Sequence, residues 1–361
     1  MKLSTMILFG FTAILVILGL IFKKSKILFL CQTIFMWILL AFNTDSADYI
    51  VHLNIFNSAQ KDISIISNEG GLYSLICYFF RNNNLEFEIM NILLNTLAMI
   101  ILIVIINKLT DKVCFVTSLF FIFPYFNYVI QKRFFLASVI IVLALYFELR
   151  NRKSDRIISV ILCIVAAQIH VTAYTYLVYI FLFRVPMKKL KKILPAMILL
   201  SIILIPVLPK LALIIFPASK VELYFLKLKL GIDDALFWTC FHLLFVLILY
   251  ILYKKNKSEG NIFLEKVLKL NLISLIFVSL YYYEPTFFRI FRTLLIFNYI
   301  CLANMQLNGI AIKKKMFFIT NFQICYVLFS FIVVHIIVSM GFDKIILPIF
   351  ESNMIINYIL K

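Results

Sequence analysis

The sequence predicts an all-α, polytopic integral membrane protein with about 12 transmembrane helices (range about 10 to 13), and three observations lead to that class. The 361 residues are 64% hydrophobic with a mean hydropathy of +1.04, whereas a soluble domain is only about half apolar. Apolar runs long enough to cross a bilayer recur along the chain. The longest polar gap, 43–69, is too short for a soluble domain. We therefore expect a single transmembrane domain over residues 1–361 and no room for a cytosolic nucleotide-binding fold.

The predicted spans follow the apolar runs in order. They lie at 3–22, 27–42, 87–106, 113–129, 133–149, 156–169, 171–183, 190–208, 235–253, 262–283, 287–308 and 316–340. The first run lacks a small-residue cleavage site, so we expect a first span rather than a removed signal peptide. The seven cysteines are scattered without a C-x-x-C pair, which favours packing residues over disulfides or metal ligands.

The basic residues predict which ends of the spans face the cytoplasm. The formal charge is +18, but it does not indicate nucleic-acid binding, because positive charge concentrates in short loops on the cytoplasmic side of membrane proteins. More than half of the 35 Lys and Arg residues lie in six such loops: 23–26, 108–112, 150–156, 184–192, 254–257 and 313–315. The connecting segments on the outer side are then 43–86, 130–133, Ile169–His170, 209–234, 284–286 and the C-terminal tail.

Two of these regions need a specific prediction. The segment 156–184 could form one long helix, but that would place a strongly basic loop outside. We predict two short spans that meet at His170, a turn that is tolerated where it is buried or lines a cavity. In the outer loop 43–86, the run GGLYSLICYFF at 70–80 predicts a short re-entrant or interfacial helix.

With this topology the unusual polar residues gather at the outer face. These candidates are Asp45, Asp48, Tyr49 and Glu69 in the first outer loop, Gln131, Lys132 and Arg133 before a span, His170 at the predicted turn, and Glu284, Arg289 and Arg292 in a late segment. Arg289 and Arg292 are three residues apart and share one helix face. Guanidinium groups bind phosphate oxygens bidentately, so this pair predicts an anion clamp.

Each candidate also has a structural interpretation. Asp48 fits an ordinary solvated loop equally well, and Lys132 could be a snorkelling end residue. A lone histidine is normally a buried, hydrogen-bonded one, yet the position of His170 at an outward corner favours function. His242 and His335, inside apolar runs, are interpreted as structural. The sequence shows no metal-ligand spacing and no phosphate-binding glycine loop, so we expect no metal and no cofactor.

The order of several motifs resembles the EpsG family of exopolysaccharide polymerases, relatives of the Wzy-type polymerases. The matching segments are Asp48–Tyr49, Glu69–Tyr73, Gln131–Ala137, Ile169–Ala173 and Arg292–Phe297. They extend over most of the chain, and their combined order carries the resemblance. This chain departs from the family pattern at Phe134, where a Gln is common after the arginine, and at Ile296, where a Tyr is common.

The resemblance implies a glycosyltransferase that joins undecaprenyl-diphosphate-linked oligosaccharide repeats at the outer face of the bacterial cytoplasmic membrane. It also implies partner proteins for chain-length control and for flipping or export. In this hypothesis Arg133, with Arg289 or Arg292, holds the donor diphosphate, and His170 or Asp48 is the general base. The supporting substrate-binding residues are Gln131, Lys132, Glu284, Glu69, Tyr49 and Asp45. Two alternatives are a membrane O-acyltransferase that modifies a surface glycan and a lipid-linked glycan flippase.

Overall fold

The computed structural model describes residues 3–46, 48–59, 71–150, 152–213, 218–227, 232–255, 261–304, 310–312, 315–317 and 342–359. The elements up to residue 130 are α1 (Leu3–Ile21), α2 (Lys26–Ala41), α3 (Tyr49–Ser58), α4 (Gly71–Asn82), α5 (Phe87–Leu109), α6 (Val113–Phe120), a π-helical turn (Phe121–Tyr125) and α7 (Phe126–Ile130). The predicted interfacial helix at 70–80 therefore corresponds to α4.

The middle of the chain is also helical. Its elements are α8 (Lys132–Arg150), α9 (Lys153–Ile169), a 3₁₀ turn (Val171–Tyr174), α10 (Thr175–Phe183), α11 (Met187–Ile203), a 3₁₀ turn (Ile205–Val207), α12 (Leu208–Ala212), α13 (Ala218–Val221), a π-helical turn (Glu222–Lys227) and α14 (Ile232–Lys255). Pro206 and Pro209 lie at the starts of the 3₁₀ turn and of α12, where proline's missing N–H is tolerated.

The last part of the chain adds the only strands among the described residues. Its elements are α15 (Ile262–Ser274), 3₁₀ segments (Leu275–Tyr282 and Pro285–Phe288), α16 (Arg289–Arg292), α17 (Leu295–Asn304), β1 (Ile310–Ile312), β2 (Lys315–Phe317), α18 (Phe342–Glu351) and α19 (Met354–Ile359). The two strands form an antiparallel hairpin that pairs Ile310 with Phe317.

Apolar helices of membrane-crossing length confirm the membrane class in its broad form. Within the described ranges, the helices long and apolar enough to cross a bilayer are Phe87–Leu109, Val113–Ile130, Asp233–Lys255 and Thr286–Asn304, and Met187–Ile203 with Ile205–Ala212 would add a fifth span bent by 49°. Shorter apolar helices include Thr5–Ile21, Lys26–Ala41 and Val171–Phe183. The count of about 12 spans remains a prediction, and most of the predicted span 316–340 lies outside the described residues.

Loops predicted to share the cytoplasmic side contact one another at one end of the helices. Lys24 forms an ion pair with Asp111, which joins the first two basic loops. Arg184 Nε lies 3.8 Å from Glu148 Oε1, and Lys266 Nζ donates to the carbonyl of Leu149 at 2.5 Å. Lysines that cap the last carbonyls of a helix also complement its dipole. These contacts therefore hold the loops and helix ends together at this end of the bundle.

The chain reverses direction at His170, as predicted. Helix α9 ends at Ile169, and His170 itself is extended, with φ −144° and ψ 117°. The following helix then returns to the end where α9 began, because the Arg184 side chain meets Glu148 near the end of α8. Both basic loops, 150–156 and 184–192, consequently lie at the same end of the molecule.

A buried polar contact joins α1, α2 and α6. Gln32 Nε2 donates to Ser118 Oγ at 2.8 Å and to the carbonyl of Leu15 at 2.9 Å, and Ser118 Oγ donates to the carbonyl of Val16 at 3.0 Å. A Cβ added to Gly19 would lie 2.2 Å from both Gln32 Nε2 and Ser118 Oγ. A larger residue at this position would therefore displace Gln32 and Ser118 from their hydrogen bonds.

We expect Gly19→Ala to lower the free energy of unfolding by about 2 kcal/mol, because the new methyl group overpacks the contact and displaces its hydrogen bonds. The measurement is thermal unfolding of the purified protein in detergent. Gly10→Ala on the same helix is the matched control, since a Cβ there meets nothing within 4 Å. Equal melting temperatures for the two variants would contradict this account.

Candidate functional site

The site lies at the end of the bundle away from the basic loops, where three segments meet. The first is the junction of α7 and α8 at Gln131, whose backbone leaves helical geometry with φ −103° and ψ 57°. The second is the turn at His170. The third is 285–292, where two short helical segments follow an extended Glu284 with φ −158° and ψ 126°. Breaks in all three segments allow side chains at the helix ends to converge.

Arg289 and His170 are in direct contact. The Arg289 side chain is buried, with 8% of its surface exposed. Its Nε donates to the carbonyl of Thr286 at 2.8 Å, and its Nη1 lies 3.2 Å from His170 Nε2. The guanidinium carbon also lies 5.2 Å from the centre of the Phe134 ring. Arg289 and His170, which belong to separate sequence motifs, therefore form a single hydrogen-bonded pair.

This contact fixes the proton on the imidazole. A guanidinium group has only donors, so His170 Nε2 must accept from Arg289 with its lone pair. The proton of the neutral ring is then on Nδ1, which lies 2.8 Å from Thr172 Oγ1 and donates to it. The side chain is thus held as one tautomer, with its basic nitrogen directed at Arg289.

Arg292 lies one turn further along and is also buried, with 5% exposed. Its Nη2 donates to Gln131 Oε1. Its guanidinium carbon lies 4.8 Å from the ring centre of Tyr128 and 5.2 Å from that of Phe134. Its Nε has no hydrogen-bond partner within the described part of the chain. A buried donor without a partner is costly, so this N–H is available to a ligand.

Arg133 connects α4 to the same region. Its Nε donates to the carbonyl of Ile169 at 2.6 Å, next to His170. Its guanidinium carbon lies 4.7 Å from the ring centre of Tyr73 on α4. The structure thus brings Arg133, Arg289 and Arg292 around the turn at His170.

Two carboxylates affect the Arg289 guanidinium. Both Asp48 and Glu284 interact electrostatically with its guanidinium. Burial raises the pKa of Glu284 above its usual range, and hydrogen bonds from Thr286 and the charge of Arg289 oppose that effect. Across the described ranges, neither Arg289 nor Arg292 forms an ion pair with a carboxylate. Neither charge is therefore balanced by an ion pair in the described part of the chain, although Asp48 and Glu284 act on Arg289.

Lys132, Tyr49 and Asp45 form a neighbouring group with other partners. Lys132 Nζ donates to the carbonyl of Asn43 at 2.5 Å and lies 6.0 Å from the ring centre of Tyr49. The Tyr49 hydroxyl donates to Glu88, and burial together with this bond raises the Tyr49 pKa. Asp45 accepts from Ser352 at 3.3 Å. Among the described residues, no hydrogen bond, ion pair or cation–π contact joins these three side chains to Arg289 or Arg292, and Glu69 lies outside the described residues.

Sequence reasoning missed the aromatic residues that hold the arginines. Tyr128, Phe134 and Tyr73 each place a ring against a guanidinium group. A signal was present, because Tyr128 and Phe134 flank the Gln131–Arg133 cluster in the sequence. Glu88, the partner of Tyr49, follows the outer loop and was not singled out either.

A family model described as the EpsG family matches residues 26–348. The chain belongs to the EpsG family. This confirms the resemblance carried by the ordered motifs, and the match includes every site residue described above. No curated protein matches the chain, and no solved structure matches it. Family membership and the apolar helices make this EpsG-family chain a membrane protein of polysaccharide biosynthesis, and the family points to a polysaccharide polymerase.

Proposed function

We propose that this EpsG-family protein polymerises undecaprenyl-diphosphate-linked oligosaccharide repeats at the outer face of the bacterial cytoplasmic membrane. The observation that carries the proposal is the convergence of Arg289 and Arg292, both buried, on one side of the turn at His170. Buried arginines that lack a paired carboxylate suit an anionic substrate. A diphosphate attached to a membrane lipid brings such an anion to this depth.

In the proposed reaction the growing glycan leaves its lipid carrier and joins a new repeat. The bond between the anomeric carbon and the diphosphate oxygen breaks, and a hydroxyl of the incoming repeat forms the new glycosidic bond. Arg289, Arg292 and Arg133 stabilise the negative charge that develops on the departing diphosphate. The hydroxyl proton passes to His170 Nε2 or to the Asp48 carboxylate as general base.

His170 lies beside the proposed diphosphate site. Its Nε2 lone pair accepts from Arg289 Nη1 in the structure, so in the proposed reaction this nitrogen takes up a proton only after Arg289 has turned to the diphosphate. Lys132, Gln131, Glu284, Tyr49, Asp45 and Glu69 remain proposed binding residues, with Gln131 acting through Arg292. Membrane lipid, a flippase and a chain-length regulator are the proposed partners, with no nucleic acid among them.

The test is the size distribution of surface glycan in cells that carry Arg289→Ala, with protein abundance measured in parallel. We expect loss of long chains and accumulation of single lipid-linked repeats. Arg152→Ala is the matched control, because Arg152 is exposed at the other end of the helices. Normal chain length with a missing acyl group would instead indicate an acyltransferase, and absence of outward-facing repeats would indicate a flippase.

A further inference from the structure

One aromatic ring contacts three of the proposed functional side chains. Phe134 is the third residue of α8 and is 3% exposed. Its ring centre lies 5.2 Å from the guanidinium carbon of Arg289 and 5.2 Å from that of Arg292. The imidazole of His170 meets it edge to face, with centroids 5.1 Å apart and an interplanar angle of 75°. No other ring in the described ranges has this set of contacts.

The two guanidinium groups repel each other, so something must hold them together in a buried site. An ion pair with a carboxylate would do so, but it would also neutralise the charge that a phosphate needs. The face of an aromatic ring attracts a cation through its quadrupole and leaves the net charge unchanged. Phe134 provides that attraction for both arginines at once.

The remaining contacts support the same arrangement. The Tyr128 ring stacks on Phe134, with centroids 6.0 Å apart and an interplanar angle of 20°, and also faces Arg292. Contacts to ring faces leave the in-plane N–H groups of a guanidinium free to donate. Arg292 Nε is such a donor, since it lacks a partner among the residues that the structure describes.

We infer that Phe134 is a positioning residue that holds Arg289 and Arg292 at a fixed spacing and so makes the site selective for a diphosphate group over a single phosphate. This inference rests on the proposed function and specifies how the same site recognises its donor. Two cations held around one ring can each pair with one of two linked phosphoryl groups, whereas a single phosphate must share its oxygens between both guanidinium groups.

The experiment measures binding of inorganic pyrophosphate and of inorganic phosphate to the full-length protein in nanodiscs by calorimetry. We expect the wild type to bind pyrophosphate more tightly. Phe134→Leu should weaken pyrophosphate binding about tenfold, the effect of losing a desolvated cation–π contact. Phe135→Leu is the matched control, because Phe135 is equally buried on the same helix and contacts Tyr128 rather than an arginine.

A second variant distinguishes an effect on pyrophosphate binding from an effect on folding. Pentafluorophenylalanine at position 134 nearly preserves the shape of the ring but reverses its quadrupole, so it should weaken pyrophosphate binding in a protein that is still folded, as circular dichroism and thermal unfolding report. Unchanged pyrophosphate affinity in that variant, or a wild type that does not prefer pyrophosphate, would overturn the inference. If pyrophosphate binding depends on Phe134 while glycan chain length is normal in Arg289→Ala cells, the inference stands and the polymerase proposal fails.

Discussion

Arg292→Lys is expected to reduce the formation of long glycan chains about 100-fold, the usual effect of removing one preorganised donor at a developing negative charge. The planar guanidinium serves several partners at once: Gln131 through Nη2, the Tyr128 and Phe134 rings through its faces, and a ligand through the free Nε. A lysine ammonium is a compact point charge without a planar fork. It can retain the charge of Arg292 but cannot keep this geometry.

The measurement for Arg292→Lys is gel separation of surface glycan, normalised to the amount of protein in the membrane. Arg152→Lys makes the same chemical change at an exposed position at the other end of the molecule and should leave the ladder of chain lengths intact. A full ladder in Arg292→Lys cells would mean that positive charge alone suffices, and the bidentate role of Arg292 would be wrong.

His170→Gln is expected to lower polymerisation by about 100-fold if His170 is the general base, since positioned proton transfer contributes at least that much to such reactions. The glutamine amide oxygen can still accept from Arg289 Nη1 in place of Nε2, so the arrangement of Arg289 is retained. An amide cannot take up the hydroxyl proton. The substitution therefore separates proton transfer from the positioning of Arg289.

Asp48→Asn provides the comparison, because Asp48 is the other candidate base and interacts electrostatically with Arg289. The rate of chain extension is measured with purified protein and lipid-linked repeats for both variants. A much larger loss in His170→Gln assigns the base to His170. The reverse order assigns it to Asp48, and full activity in His170→Gln would leave His170 only a positioning role.

Much of the fold was predictable because the apolar runs and the basic loops obey strong physical constraints. The starts of α2, α5 and α6 lie within one residue of the predicted spans at 27, 87 and 113, since charged or polar residues flank each run. The turn at His170 was predicted from charge alone, because one long helix would have placed a basic loop outside. The 3₁₀ segment Leu275–Tyr282 was not predicted, since its composition matches that of a regular apolar helix.

The cationic residues of the site could be predicted from the sequence. The contacts between them could not. Spacing indicated that Arg289 and Arg292 share a face, and position suggested that His170 and Arg133 lie at the same end. The contact between His170 and Arg289 joins residues 119 positions apart, and no local pattern encodes such a distance. Phe134 was noticed only as a departure from the family motif, because buried phenylalanines are common in apolar helices.

The hairpin at His170 also has a consequence for the surrounding lipid. Helix α9 has 17 residues and spans about 26 Å, whereas the hydrocarbon core is about 30 Å thick. In the predicted topology Lys153 and Arg184 lie at one headgroup layer, so His170 would lie beneath the opposite layer, and deeper still if the helices tilt. We then expect the bilayer to thin around this hairpin, or the lipid headgroup to sink to reach it. We therefore expect the rate of the proposed polymerisation to depend on acyl-chain length.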